Sequence, residues 1–162
     1  MSQPPHNLEV ERSVLGSCMI DNKAAQEVME TVASEDFYST RHQDIFKTIQ
    51  KLHRDKLDID TMSVTGAIAR EIVVYTLKVA DSVPSAASIK SYITILKSYS
   101  MRRRLINEAI TLQEAAQDIN TDTEEVLLTA QKNILNLSLS KESPLKTAKE
   151  LTLSLCRKIE SQ

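Results

Sequence analysis

Glycine, proline and aromatic residues are scarce in this 162-residue chain, which has 2 Gly, 4 Pro, no Trp and 4% aromatic residues. An α/β enzyme would need more glycines for its turns and ligand loops. Neither Gly16 nor Gly66 precedes the Gly-Lys-Ser/Thr signature of a phosphate-binding loop. The residues that dominate instead are Leu, Ala, Ile, Lys, Glu and Gln, most of which have a low cost in helices. The composition therefore predicts an all-α protein that is not itself an enzyme.

Features that would point to other functional classes are also missing. The formal net charge is −2, which does not favour electrostatic binding of nucleic acid. No apolar run approaches the ~20 residues needed to span a membrane. The polar N-terminus has no signal-peptide pattern, so we expect a cytoplasmic protein in which Cys18 and Cys156 are reduced core residues. Because His6, His42 and His53 have no metal-ligand spacing, we expect no catalytic, metal or cofactor site.

Apolar residues recur at helical spacing along the first hundred residues, and polar capping residues separate the apolar segments. Asn7, Asp21 or Asn22, and Asp60 each offer a side-chain oxygen at the predicted start of a helix. This pattern predicts a globular bundle of short helices, the head, over residues 1–100.

A rigid corner at Pro84 is predicted to join one helix of this bundle to a much longer one. Pro84 lacks a backbone donor and disfavours a helical conformation at the residue before it, so the incoming helix should end near Ser82. Ser85 then offers an N-cap oxygen. The helical pattern that follows runs from Ile89 to about Ile119.

Two apolar stripes joined by a short polar turn predict an antiparallel helical hairpin over residues 101–139. Each stripe steps by three and four residues, as in a coiled coil. Neither helix is expected to bury its stripe fully against one partner helix, so we expect the hairpin to self-associate. The residues expected at this contact are Leu105, Ala109, Leu112, Ala116, Ile119, Leu127, Ala130, Ile134 and Leu137.

Residues 140–162 are predicted to be a linker carrying an amphipathic helix, with Ser143 as its N-cap and Pro144 at its first position. The apolar stripe of this helix has no further predicted element to pack on. We therefore expect it to dock on another domain through Leu145, Leu151, Leu155 and Ile159.

The main cationic cluster consists of Arg102, Arg103 and Arg104. Three consecutive residues of a helix spread over about 200° of its circumference, so they cannot form one phosphate-binding stripe. Pairing with acidic residues of neighbouring helices is the favoured interpretation. A partner surface is the second, and sequence-specific DNA binding is the least favoured because no helix-turn-helix spacing accompanies the cluster.

Five segments occur together in a family-specific order. Residues 4–16 read PPHNLEVERSVLG, residues 35–38 read EDFY, residues 59–62 read IDTM, residues 80–87 read ADSVPSAA, and residues 103–106 read RRLI. Together they resemble the N-terminal domain of the DnaB-family replicative DNA helicases, including phage-encoded members. The segment between Ile68 and Tyr75 is shorter than is usual in that family, which indicates either a truncated loop or residues missing from the sequence.

The resemblance implies a non-catalytic domain that assembles as dimers, or as a trimer of dimers, in a hexameric helicase. It implies docking of the C-terminal domain of primase, with Tyr75, Ile106 and Leu112 at positions that contribute to primase binding in bacterial relatives. The linker helix would pack on the motor domain of a neighbouring subunit. ATP and Mg would bind in that motor domain, which this chain lacks. The resemblance also makes a helicase loader a further candidate partner.

Two alternative functions belong to other functional classes of protein. The chain could be a stand-alone helical adaptor, such as a helicase loader or inhibitor, or a helical nucleic-acid-binding module, which its acidic balance disfavours. Taken without the resemblance, Tyr75, Ile106 and Leu112 are most simply explained as core residues.

Overall fold

The structure, a computed structural model, describes residues 3–83 and 85–140. Within these ranges the chain is helical and contains no β-strand, which confirms the all-α fold class. Pro84, Cys156 and the predicted linker helix with Leu145, Leu151, Leu155 and Ile159 lie outside the described residues. The helices are α1 (Leu8–Ile20), α2 (Asn22–Thr31), α3 (Thr40–Arg54), α4 (Thr61–Ala67), α5 (Arg70–Asp81), α6 (Ile89–Gln117) and α7 (Thr123–Ser140), with a 3-10 turn at Ser34–Asp36.

Side-chain caps begin three of these helices at the predicted residues. Asn7 accepts hydrogen bonds from two backbone N–H groups in the first turn of α1. Asp21, rather than Asn22, accepts one at the start of α2, and Asp60 accepts one at the start of α4. Each bond satisfies a donor that has no partner within its helix. The sequence therefore specifies these helix starts locally.

The corner between α5 and α6 differs in one respect from the prediction. α5 ends at Asp81, next to the predicted end at Ser82. Ser85 Oγ accepts a hydrogen bond from the Ala87 N–H at 3.2 Å, but α6 begins only at Ile89. Ser85 therefore caps a turn that precedes the helix, because the residues after it form that turn instead of the first helical turn.

The chain divides into two compact units, Met1–Arg103 and Arg104–Gln162. The first, the head, holds α1 to α5 and the part of α6 up to Arg103. The second, the hairpin, holds the remainder of α6 together with α7. Each unit presents its own candidate surface.

The core of the head is built around α1, which packs against α2, α3, α4 and α5. All side chains from Val14 to Met19 are buried, including Cys18, whose burial raises the pKa of its thiol to about 12. Cys18 is therefore an inert core residue, as predicted. The rings of Phe37 and Phe46 lie 5.1 Å apart between centroids, and both are fully buried in this core. This core holds the polar contacts described below in fixed positions.

Candidate partner-binding surfaces

Tyr75 is held by a hydrogen-bonded chain that joins α5 to α3 and α1. Its hydroxyl oxygen lies 2.7 Å from Nε2 of His42, and Nδ1 of His42 lies 2.6 Å from Oε2 of Glu11. Both His42 and Glu11 are fully buried, whereas Tyr75 is half-buried. Since its hydroxyl is bonded inside the head, the ring is the part of Tyr75 that remains accessible at the surface.

Glu11 anchors this chain because it accepts three hydrogen bonds. Besides His42, the backbone N–H groups of Tyr38 and Ser39 donate to its carboxylate over 2.8 and 3.2 Å. A buried carboxylate is tolerated only when it is hydrogen-bonded in this way. The sequence interpretation overlooked Glu11. Its place on the apolar face of α1, three residues before Val14, is the signal that would have found it.

A second buried carboxylate, Asp36, holds the first half of α6 within the head. Lys97 Nζ and Ser100 Oγ donate to it over 2.8 and 2.6 Å, and the Ala33 N–H donates over 2.9 Å. Burial by itself would raise the pKa of Asp36. The hydrogen bonds from Ala33, Lys97 and Ser100 outweigh burial and hold this pKa below its usual value. Asp36 is therefore a charged residue that belongs to the core.

Arg103 uses its guanidinium to bind the backbone. It donates to the carbonyl oxygens of Pro5 and Asp36, and its Cζ lies 5.9 Å from the centroid of the Tyr38 ring. The same ring stacks on His6 with 4.1 Å between centroids. Tyr38 is half-buried in this stack. Tyr38 therefore lies at the edge of the core, whereas the neighbouring Phe37 is fully buried.

The two helices of the hairpin enclose an open apolar groove of about 260 Å³. Glu108 and Asn133 join the helices beside it through a hydrogen bond of 2.9 Å. Five residues of the predicted self-association set contribute to its lining, namely Leu105, Ala109, Leu112, Ala130 and Ile134. The predicted stripes of α6 and α7 therefore converge on one apolar feature.

Four other residues of the predicted set, Ala116, Ile119, Leu127 and Leu137, do not line this groove. Val126 and Ala130, one helical turn apart on α7, line the groove together. Ile119, just beyond α6, is 95% exposed.

The three residues implied for partner binding are divided between the two units. Tyr75 belongs to the head, whereas Ile106 and Leu112 belong to the hairpin. Ile106 is 44% exposed and lies outside the groove lining, while Leu112 is 37% exposed and lines it. The simpler expectation that all three are core residues is therefore wrong for Ile106 and Leu112. In the described part of the chain, no group of three His, Cys, Asp or Glu residues is placed to hold a metal ion.

None of the described helices is both long and apolar enough to cross a membrane.

Comparison with known proteins identifies the family. A model of the DnaB-like helicase N terminal domain matches residues 3–98. The Replicative DNA helicase DnaB of Treponema pallidum is 32% identical over 167 residues, an alignment that covers 98% of this chain and 38% of that protein. The Replicative DNA helicase DnaC of Bacillus subtilis is 30% identical over 147 residues, which cover 86% of this chain and 32% of that protein. The chain thus spans well under two thirds of these helicases.

Solved structures agree with the sequence relatives. The N-terminal domain of DnaB helicase from Mycobacterium tuberculosis superposes with a TM-score of 0.76 at 27% identity, covering 83% of this chain and 99% of that one. The N-terminal domain of DnaB helicase from Helicobacter pylori, described together with its interactions with primase, superposes with a TM-score of 0.59 at 25% identity. That match covers 67% of this chain and 89% of the other. With the helical head and its order of elements, these matches show that the chain belongs to the DnaB-like helicase N-terminal domain family.

Proposed function

We propose that this chain is the assembly and primase-docking domain of a hexameric replicative DNA helicase and is not itself catalytic. The observation that carries the proposal is the open apolar groove of the hairpin, whose lining includes the exposed side chains of Leu105, Leu112 and Ile134. ATP and Mg would bind in a motor domain outside this chain. The domain would act in the cytoplasm, as part of the replication machinery.

Self-association through the hairpin follows from the cost of leaving its apolar side chains in water. Leu105 and Ile134 are 48% and 53% exposed, and burying an exposed side chain of this size contributes about 1.5–3 kcal/mol. A second hairpin presents the same apolar groove, so two copies can bury their grooves against each other in an isologous contact. Dimers of this kind would be the units of a trimer of dimers.

Primase is the proposed partner of the assembled domain, through its C-terminal helicase-binding domain. The Helicobacter pylori relative is described with interactions with primase. The three positions that the family resemblance implies for primase binding are accessible to different degrees in this chain. Ile106 and Leu112 are exposed, and Tyr75 is half-buried. A helicase loader is the alternative partner for the same surfaces. The linker helix at residues 145–159 would bind the motor domain of a neighbouring subunit.

Two measurements on the 162-residue chain test this function. Light scattering over a range of protein concentrations should show dimers or larger assemblies, and calorimetric titration should show binding of the primase C-terminal domain. A chain that stays monomeric at high micromolar concentration and binds no primase would contradict the proposal. Tight, strongly salt-dependent binding of single-stranded DNA would favour the nucleic-acid-binding alternative instead.

A further inference from the structure

Arg41 on α3 lies against the ring of Tyr75 on α5, with 5.6 Å between its Cζ atom and the ring centroid. The Arg41 side chain is otherwise exposed to solvent. A cation–π contact at an exposed site is weak. It nevertheless sets the position of the guanidinium on the surface of the head.

The ring beneath Arg41 is itself held in place. The rings of Tyr75 and His42 are stacked with 5.6 Å between centroids and 22° between planes. The Tyr75 hydroxyl is bonded to His42, and Glu11 anchors His42 from α1. Arg41 therefore rests on a ring that is fixed from inside the head. A group held in this way loses less conformational entropy when it binds a ligand than a mobile side chain does.

No carboxylate among the described residues forms an ion pair with Arg41, whereas four other cations of the head, Arg12, Arg54, Lys90 and Lys97, each have one. Asp44 lies three residues later on α3 and Glu71 lies four residues before Tyr75 on α5, and both are exposed. Neither reaches Arg41, so this guanidinium is supported by a ring yet carries no counter-charge.

We propose that Arg41 and the ring of Tyr75 form a docking point for a carboxylate side chain of the partner protein. The planar guanidinium donates paired hydrogen bonds to a carboxylate along its edge, and stacking on an aromatic ring leaves that edge accessible. The inference rests on the proposed function, because it takes the primase C-terminal domain as the protein that contacts Tyr75. It adds Arg41 as a residue that selects an acidic side chain on that partner.

A protein carboxylate fits this point better than a nucleic-acid phosphate. Proteins that follow a phosphate backbone use a row of cations. The exposed residues near Arg41 and Tyr75 on their helices are, by contrast, of both signs: Asp44 and Lys47 on α3, and Glu71 and Lys78 on α5. This mixed setting gives a polyanion no row of cations to follow, whereas the paired N–H donors of one guanidinium match one carboxylate.

The test is a calorimetric titration with the primase C-terminal domain at low and at moderate salt. It compares the unchanged chain with Arg41→Gln, Arg41→Lys and the matched control Arg54→Gln. Arg54 is an exposed arginine at the end of the same helix, with Asp55 at 3.9 Å. Arg41→Gln should weaken binding about tenfold through loss of a charge-assisted contact. Arg41→Lys should have an intermediate affinity, because lysine keeps the positive charge but lacks the paired N–H donors of the guanidinium. The affinity of Arg54→Gln should stay within about twofold of that of the unchanged chain.

Each outcome supports or overturns the role of Arg41 or the proposed function. Unchanged affinity in Arg41→Gln, or an equal loss in Arg54→Gln, overturns this inference and leaves the proposed function standing. A chain that does not bind primase at all overturns both. If a single-stranded oligonucleotide binds to the chain and Arg41→Gln abolishes that binding, the ligand of Arg41 is a phosphate and not a carboxylate. Thermal unfolding of Arg41→Gln, expected to match the unchanged chain, shows that a loss of affinity does not come from loss of the fold.

Discussion

Gly16 on α1 lies so close to Val83 that a Cβ atom at position 16 would come within 2.5 Å of Val83 Cγ2. The same atom would lie 2.9 Å from the carbonyl oxygen of Val79, in the last turn of α5. A backbone oxygen cannot move aside without shifting α5 itself. Glycine at position 16 is therefore what lets α1 and the end of α5 approach each other.

Gly16→Ala is expected to destabilise the chain by about 1–3 kcal/mol, as overpacking of a filled core does. Gly66→Ala is the matched control, because nothing lies within 4 Å of a Cβ atom there. Alanine at position 66 should stabilise α4 by up to about 1 kcal/mol through its higher helix propensity. Urea denaturation of both variants measures the two effects, and changes of the same sign would contradict this account of Gly16.

The buried chain from Glu11 to Tyr75 predicts that two Glu→Gln changes on α1 have very unequal effects on stability. Glu11→Gln should lower the free energy of unfolding by about 2 kcal/mol or more, because the new amide group turns a donor toward groups that are already donors. Glu9→Gln, on the exposed side of the same helix, loses only a 3.9 Å ion pair with Arg12 and should change stability by less than about 0.5 kcal/mol. Thermal and urea denaturation give both values. Equal effects would mean that Glu11 does not anchor the head.

Removal of the Tyr75 hydroxyl tests the other end of that chain. Tyr75→Phe keeps the ring but leaves Nε2 of the buried His42 without its 2.7 Å hydrogen bond. The expected cost is about 1–3 kcal/mol, the penalty for a buried polar atom that loses its partner. Tyr92→Phe, which alters another half-buried tyrosine with no described hydrogen bond from its hydroxyl, serves as the control. A Tyr75→Phe variant as stable as Tyr92→Phe would contradict the hydrogen bond.

Asp36 predicts a dependence of stability on pH. Because its pKa is lowered in the folded chain by hydrogen bonds that outweigh its burial, the folded state favours the charged carboxylate. Its contribution is fully present above the unfolded pKa of about 3.9 and is lost as the pH falls through the lower folded pKa. The stability difference between the unchanged chain and Asp36→Asn, measured by urea denaturation, should therefore shrink below about pH 4. A difference that does not vary with pH would argue against this role.

Local patterns in the sequence predicted much of the fold, whereas most contacts that position Tyr75 and α6 were not predictable. Asn7, Asp21 and Asp60 cap helices within three residues of themselves, so the sequence displays both cap and helix. Glu11 and His42, by contrast, are 31 residues apart. Periodicity shows which face of a helix is buried, but it does not show which residue of another helix will face it.

The hairpin shows the same limit of sequence-based prediction for two helices that are neighbours in the sequence. The stripe of α7 contains two overlapping series at helical spacing, one through Val126 and one through Leu127, and both include Ala130. The predicted self-association set includes Leu127 and does not include Val126. In the structure Val126 faces the groove and Leu127 is 60% exposed outside its lining. A rotation of α7 by one residue cannot be read from side-chain size, because it depends on how α6 and α7 pack against each other.

The groove of the hairpin predicts where a charge will disrupt self-association. Leu112 lines the groove, so Leu112→Asp would place a carboxylate where a second copy excludes water, and burial of an unpaired charge is strongly unfavourable. The dissociation constant of the dimer should rise by at least about thirtyfold, the loss expected at a binding hot spot. Leu135 is 59% exposed on α7 and lies outside the groove lining, so Leu135→Asp, the matched control, should change that constant by less than about threefold. Analytical ultracentrifugation gives the two constants, and circular dichroism shows whether helix content is kept. If both variants weaken the dimer equally while they remain helical, the groove is not the surface through which the copies meet.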